Sequence, residues 1–195
     1  MKRLAFLIML IISTAAVAQQ QGIGLRLGDP MGVSYKKYFG RTHAIEFGIG
    51  SVPANWNNQY YINSFQEYPR YDGYRYQNHT VQSTLYLQAR YLFQYNIPVQ
   101  NMEGKLEWYW GGGAMLKASK IQYRYQNREA PFAPARDIIN DIDLGPEGII
   151  GLEYTFQDVP MTVFGETSLF IELADRPATI RGLGGLGVRY NFYKR

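Results

Sequence analysis

The stretch VQSTLYLQARYLFQY, residues 81–95, alternates without a break. Val81, Ser83, Leu85, Leu87, Ala89, Tyr91, Phe93 and Tyr95 share one parity. Gln82, Thr84, Tyr86, Gln88, Arg90, Leu92 and Gln94 share the other. Period 2 places successive side chains on opposite faces of a β-strand. An ordinary strand has about five or six residues, so this one is long. A chain carrying it must pair its edges and give each face its own surroundings.

The same test predicts eight strands, over residues 22–28, 32–39, 44–52, 81–95, 104–118, 141–155, 161–172 and 180–193. No helix is read among them, and no composition shift marks a domain boundary. With 17 Tyr and 20 Gly, the chain is rich in strand-forming aromatics and residues that permit curvature. Connections after strands two, four and six are short: GRTH, NIPVQNMEG and FQDVP. Those after strands three and five are long, residues 53–80 and 119–140. Short turns at one end and long loops at the other predict an all-β, closed, antiparallel, eight-stranded up-and-down barrel.

Two media could suit such a barrel. A soluble barrel hides its apolar parity inside, and a transmembrane barrel turns it outward. Leu106, Trp108, Trp110, Ala114 and Leu116 oppose Lys105, Glu107, Tyr109 and Lys117. Leu144, Ile150, Leu152 and Tyr154 oppose Asp143, Glu147 and Glu153. Met161, Val163, Leu169 and Ile171 oppose Glu166, Ser168 and Glu172. Ile180, Leu186, Val188, Tyr190 and Phe192 oppose Arg181, Arg189 and Asn191. The polar parity also collects glycines, among them Gly24, Gly48, Gly151, Gly185 and Gly187. A solvated face has no need of small residues. The lumen of an eight-stranded barrel does, because side chains just fill it. The pattern therefore points to a transmembrane barrel, with aromatics near strand ends as interfacial girdles.

The compartment agrees. MKRLAFLIMLIISTAAVAQQ has a basic start, an apolar run too short to span a bilayer, and a small-x-small site at Ala16–Ala18. Residues 1–18 are read as a signal peptide and 19–195 as the barrel domain. There is no cysteine, which excludes a disulfide framework and thiolate metal sites. The net charge of +4 includes Lys2 and Arg3, and the remainder is too small to argue for nucleic acid.

The leader, the eight strands and the closing GLGGLGVRYNFYKR resemble the small outer-membrane β-barrels of Gram-negative bacteria, of the OmpA transmembrane-domain type. The opening GLRLGDPMGVSYKKYF and the YWGGGA stretch are similar to compact barrels of Bacteroidetes-type bacteria. The final strand resembles the signal read by the barrel-assembly machinery, although Tyr193, Lys194 and Arg195 follow Phe192. The resemblance implies an outer-membrane location, short turns periplasmic and long loops extracellular, with outer-membrane lipid as surroundings.

The inward charges suggest a site. Arg26, Lys36, Arg90, Lys105, Lys117, Arg181 and Arg189 face Glu46, Glu107, Asp143, Glu147, Glu153, Glu166 and Glu172. Buried charges must be paired, so the expectation is a salt-bridged plug. A narrow ion or small-solute channel is the alternative. The Tyr-rich loop supplies a second surface: Tyr60, Tyr61, Tyr68, Arg70, Tyr71, Tyr74, Arg75 and Tyr76 are candidates for contacting an extracellular protein or glycan. The competing reading is that the strands simply extend past the membrane as a two-sided ribbon. For an enzyme, such as a lipid-modifying one, His79 near Ser83 and Thr84 is the available base. No phosphate loop or metal spacing appears. No cofactor and no enzymatic activity are expected.

Overall fold

The computed structural model describes residues 20–52, 58–127, 134–174 and 178–193. The leader, residues 1–18, lies outside the described residues. Eight strands are named in chain order: β1 Gln20–Asp29, β2 Met31–Phe39, β3 His43–Ser51, β4 Tyr74–Asn96, β5 Lys105–Asn127, β6 Pro134–Thr155, β7 Met161–Ile171 and β8 Ile180–Tyr193. Each pairs antiparallel with the next, and β1 pairs with β8 to close the ring. Closure leaves no open edge along the barrel wall.

The apolar parity faces out. Leu25, Leu27, Phe47, Ile49, Ile150, Leu152, Leu169 and Leu186 are all exposed. On β5 the outward run from Leu106 to Ala118 rises about 40 Å along the strand, or about 30 Å along a barrel axis tilted 35–45°. That height equals the hydrocarbon core of a bilayer. Aromatic pairs cluster on the short-turn side of the belt. Phe93 stacks on Trp110 at 4.8 Å and Tyr95 on Trp108 at 5.0 Å.

Two sequence expectations need correction. β4, β5 and β6 run to 23, 23 and 22 residues, well past the predicted bounds. Their far ends leave the ring as a three-stranded extension, because β3 stops against Tyr86 and β7 against Glu147. The long connections shrink accordingly. Bulges at Tyr76/Asn78 and Val81/Ser83 shift the register in the extension. The bulges break strict alternation on β4; on β5 alternation continues but the apolar parity changes face, from outward Leu116 to buried Ile121 and Tyr123.

The second correction is a helix, α1, over Asn58–Glu67. Its polar sequence reads as loop. Yet Tyr60, Tyr61, Ser64 and Phe65, at helical spacing, are all buried. Gln59 donates to Asn63 at 2.9 Å one turn on. Packing of this stripe, rather than helix propensity, holds the segment helical.

Candidate functional site: the lumen and its mouth

The inward parity of the strands fills the barrel with charge in three tiers. Nearest the short turns, Lys36 meets Glu153 at 2.8 Å and Arg189 meets Glu46 at 2.8 Å. Arg189 also reaches Glu153 at 3.3 Å. Tyr38 and Gln94 donate to the other Glu153 oxygen at 3.1 and 2.5 Å. The Arg189 guanidinium lies over the Phe164 ring, 3.7 Å from its centroid.

The middle tier centres on Arg90. Its Nε and Nη2 donate to the two oxygens of Glu147 at 3.0 and 2.6 Å. Its Nη1 donates to Glu166 at 2.8 Å. Arg26 meets the same Glu166 oxygen at 3.0 Å. Tyr109 donates to the other oxygen at 2.7 Å. Gln88 joins the sides, donating to Glu147 at 2.5 Å and accepting from Arg26 at 3.1 Å. Glycines make the room. A Cβ on Gly185 would lie 2.7 Å from Arg26 Nε, and one on Gly151 would lie 2.5 Å from Tyr109 Cζ. Neither approach is possible for a real side chain without displacement.

The third tier lies beneath the mouth. Asp143 accepts from Lys117 at 2.9 Å, Arg181 at 2.8 Å and the Tyr60 hydroxyl at 2.9 Å. Tyr60 also bonds Glu172 at 3.2 Å. Tyr60 belongs to α1, so the helix is tied directly to the lumen charges. Above it Phe65 stacks on Tyr71 at 4.3 Å, and Tyr61, Tyr123, Ile121 and Ile139 complete a buried cluster.

The structure therefore divides the predicted site residues. Arg26, Glu46, Arg90, Glu147, Glu153, Glu166, Arg181 and Arg189 meet in the tiers. Glu107 sits at the rim, where its partner Lys105 is 53% exposed. Asp29 and Asp141 are buried as well, although parity did not add them to the charge set. With Lys105 in solvent, buried carboxylates outnumber buried cations, which corrects the expected balance.

The loop candidates change role. Tyr60, Tyr61 and Tyr71 are buried in the mouth and cannot offer a contact surface. Tyr74 and Tyr76 pack partly against that cluster from the inner face of the extension, as does Tyr68 from beside α1. Arg70 is exposed and pairs with Asp137 at 2.8 Å. Arg75 is exposed on the opposite, outer face. The helical spacing of residues 60, 61, 64 and 65 was the signal that could have revealed this burial.

His79 packs among Tyr61, Tyr76 and Tyr123, with Nδ1 2.6 Å from the Tyr76 hydroxyl. Burial there lowers its pKa from the usual imidazole value. Ser83 is exposed and flanks a bulge. Thr84 is bonded to Ser51 and Val52. His79 therefore bonds neither hydroxyl. Among the described residues no cluster of His, Asp and Glu could hold a metal.

No family model and no curated protein matches the chain. Among solved structures it is similar to the N-terminal β-barrel domain of Pseudomonas aeruginosa OprF, at 12% identity and a TM-score of 0.43, covering 90% of this chain and 97% of that one. It is similar to Ail, the attachment invasion locus protein of Yersinia pestis, at 10% identity and 0.43, with the same coverage. Neisserial surface protein A matches at 10% identity and 0.38, covering 89% of this chain and 94% of that one. Likenesses this distant say nothing about activity.

Proposed function

We propose that the chain is an integral outer-membrane barrel that is closed to solutes and acts as a structural or surface-exposed protein. The observation that carries this reading is the inverted barrel: an apolar belt outside and paired charges inside. In a soluble barrel the exposed Leu25, Leu27, Ile150, Leu152 and Leu186 would meet water. In a bilayer they meet lipid, and every strand edge within the belt is satisfied by closure.

Closure to solutes follows from the tiers. An eight-stranded lumen is only just wide enough for its side chains, and here guanidinium and carboxylate groups bridge it at three levels. The long extension and α1 stand on the side opposite Gln20 and Tyr193, and we assign that side to the cell exterior. The chain would be delivered by the barrel-assembly machinery. A non-enzymatic role fits the placement of His79, whose ring nitrogen is engaged by a tyrosine instead of a nucleophile.

Heat-modifiable migration in SDS gels and recovery in the outer-membrane fraction are the expected results. A soluble periplasmic protein would sink the membrane reading. In planar bilayers the purified barrel should be electrically silent. Reproducible unitary currents would replace closure with the channel alternative.

A further inference from the structure

The outer face of the extension carries cations that the lumen does not use. Arg124 on β5 and Arg136 on β6 are direct cross-strand partners. Both are exposed, and neither has an ion-pair partner among the described residues. Like charges placed opposite each other destabilise a sheet, so the pair needs a reason outside the fold. Lys120 lies below them on the same face, exposed and equally unpaired. Asp137, an acid of the same sheet, turns to the inner face and is held by Arg70 and Tyr71. Exposed Asn78, Thr80, Ser83 and Asn140 surround the cations with hydrogen-bonding groups.

The position of this face is specific. Lys120 follows Ala118, the last apolar outward residue of the belt on β5, whereas on β6 the outward Ile138 still stands between Asn140 and Arg136. One rung further down, below Leu85 and Ala118, the barrel wall is hollowed by a depression of about 470 Å³. Ala89 and Ala114 lie at its floor, with Ile49, Leu87, Leu116 and Leu144 around them. An apolar trough on the outer face of β2–β5 thus rises, past Leu85 and Ala118, toward a cationic patch on β5 and β6.

We propose that this face binds a lipid whose headgroup is a phosphorylated sugar, with acyl chain in the depression and phosphates on Lys120, Arg124 and Arg136. Spacing selects the headgroup. Lys120 and Arg124 are four residues apart, about 13 Å along the strand, or about 10 Å along the axis at the barrel's tilt. The headgroup zone of one leaflet is about 6 Å deep, and a phospholipid places its one phosphate within it. Two cationic levels match a taller headgroup with phosphate at two heights. Arginine suits this use because its planar fork binds phosphate bidentately. The assignment rests on the membrane reading above.

The test uses the full mature chain, folded in phosphatidylcholine nanodiscs. Retained lipid is counted by native mass spectrometry after doping with diphosphoryl lipid A, with its dephosphorylated form, or with phosphatidylglycerol. The wild type should retain the diphosphorylated glycolipid above both others. Each cation near an anionic headgroup is worth about a fivefold change in affinity, so Lys120→Gln/Arg124→Gln/Arg136→Gln should lose on the order of a hundredfold. The separate variant Ala89→Phe/Ala114→Phe, which fills the depression, should also retain less. Equal retention by the triple variant, or no preference for the phosphorylated glycolipid, would overturn the assignment. Heat-modifiable migration is scored first in every sample. Failure there sinks the membrane reading, whereas an inserted barrel indifferent to lipid phosphate sinks only this site.

Discussion

At the scale of single residues, parity decides the medium and burial decides the cost. Arg90 faces in and is 2% exposed, while Ile150 faces out and is 52% exposed. The sequence makes both directions readable, because alternation has a period of two. It does not make partners readable. Arg90 meets carboxylates 57 and 76 residues away, and Lys36 meets one 117 away. Only closure of the ring brings them together. Two outcomes follow from the geometry. Arg90→Ala would leave Glu147 a buried carboxylate without a cation, while Glu166 keeps Arg26, and should lower the unfolding free energy by about 3–5 kcal/mol. Reversible denaturant unfolding in lipid vesicles measures it, and a change below the resolution of that method would mean the tier is hydrated. Ile150→Arg, near the belt's middle, should cost about 2–4 kcal/mol in the same assay. A neutral result there would contradict lipid contact at this position.

At the scale of elements, the barrel wall was legible and the mouth was not. Strict alternation runs through β1, β3, β7, β8 and the lower halves of β4–β6, where one face must be apolar. In the extension, bulges interrupt it on β4, and on β5 the apolar residues switch to the inner face at Ile121 and Tyr123. The α1 segment was missed for a different reason: its stripe of Tyr60, Tyr61, Ser64 and Phe65 is short and aromatic, and tertiary packing stabilises it. The docking of α1 should depend on pH. His79 lies under Tyr61 with its pKa lowered by burial. The unfolded imidazole titrates near 6.5, so between that value and the lower folded value the open state binds more protons. Stability is therefore greatest above about pH 6.5 and falls as the solution is acidified through that range. Hydrogen exchange of the 58–67 amides should quicken on acidification, beyond the intrinsic effect of pH. His79→Gln, which cannot titrate, should remove the excess. An unchanged profile in that variant would assign the pH response to another group.

At the scale of the whole molecule, the chain is a cylinder with an oil-facing wall, a salt-bridged axis and a capped mouth. The three tiers and the cap lie in series, so they are redundant as barriers to ions. This redundancy makes a prediction that separates the cap from the lumen. Replacing residues 58–67 by a flexible Gly/Ser segment removes Tyr60 from Asp143 and Glu172 and exposes the third tier to water. The middle tier, held by Arg26, Arg90, Glu147 and Glu166, and the lower tier, held by Lys36, Arg189, Glu46 and Glu153, remain. Each is anchored by hydrogen bonds to the wall rather than to α1. The cap-deleted barrel should therefore still shift in SDS gels on heating and still pass no current in planar bilayers. The Lys117 and Arg181 side chains, no longer stacked on Tyr60, should become reachable by water-soluble amine and guanidine reagents. Unitary currents from the cap-deleted protein alone would place the seal at the mouth. The charge tiers beneath would then be hydrated steps along a path, and α1 would be its gate.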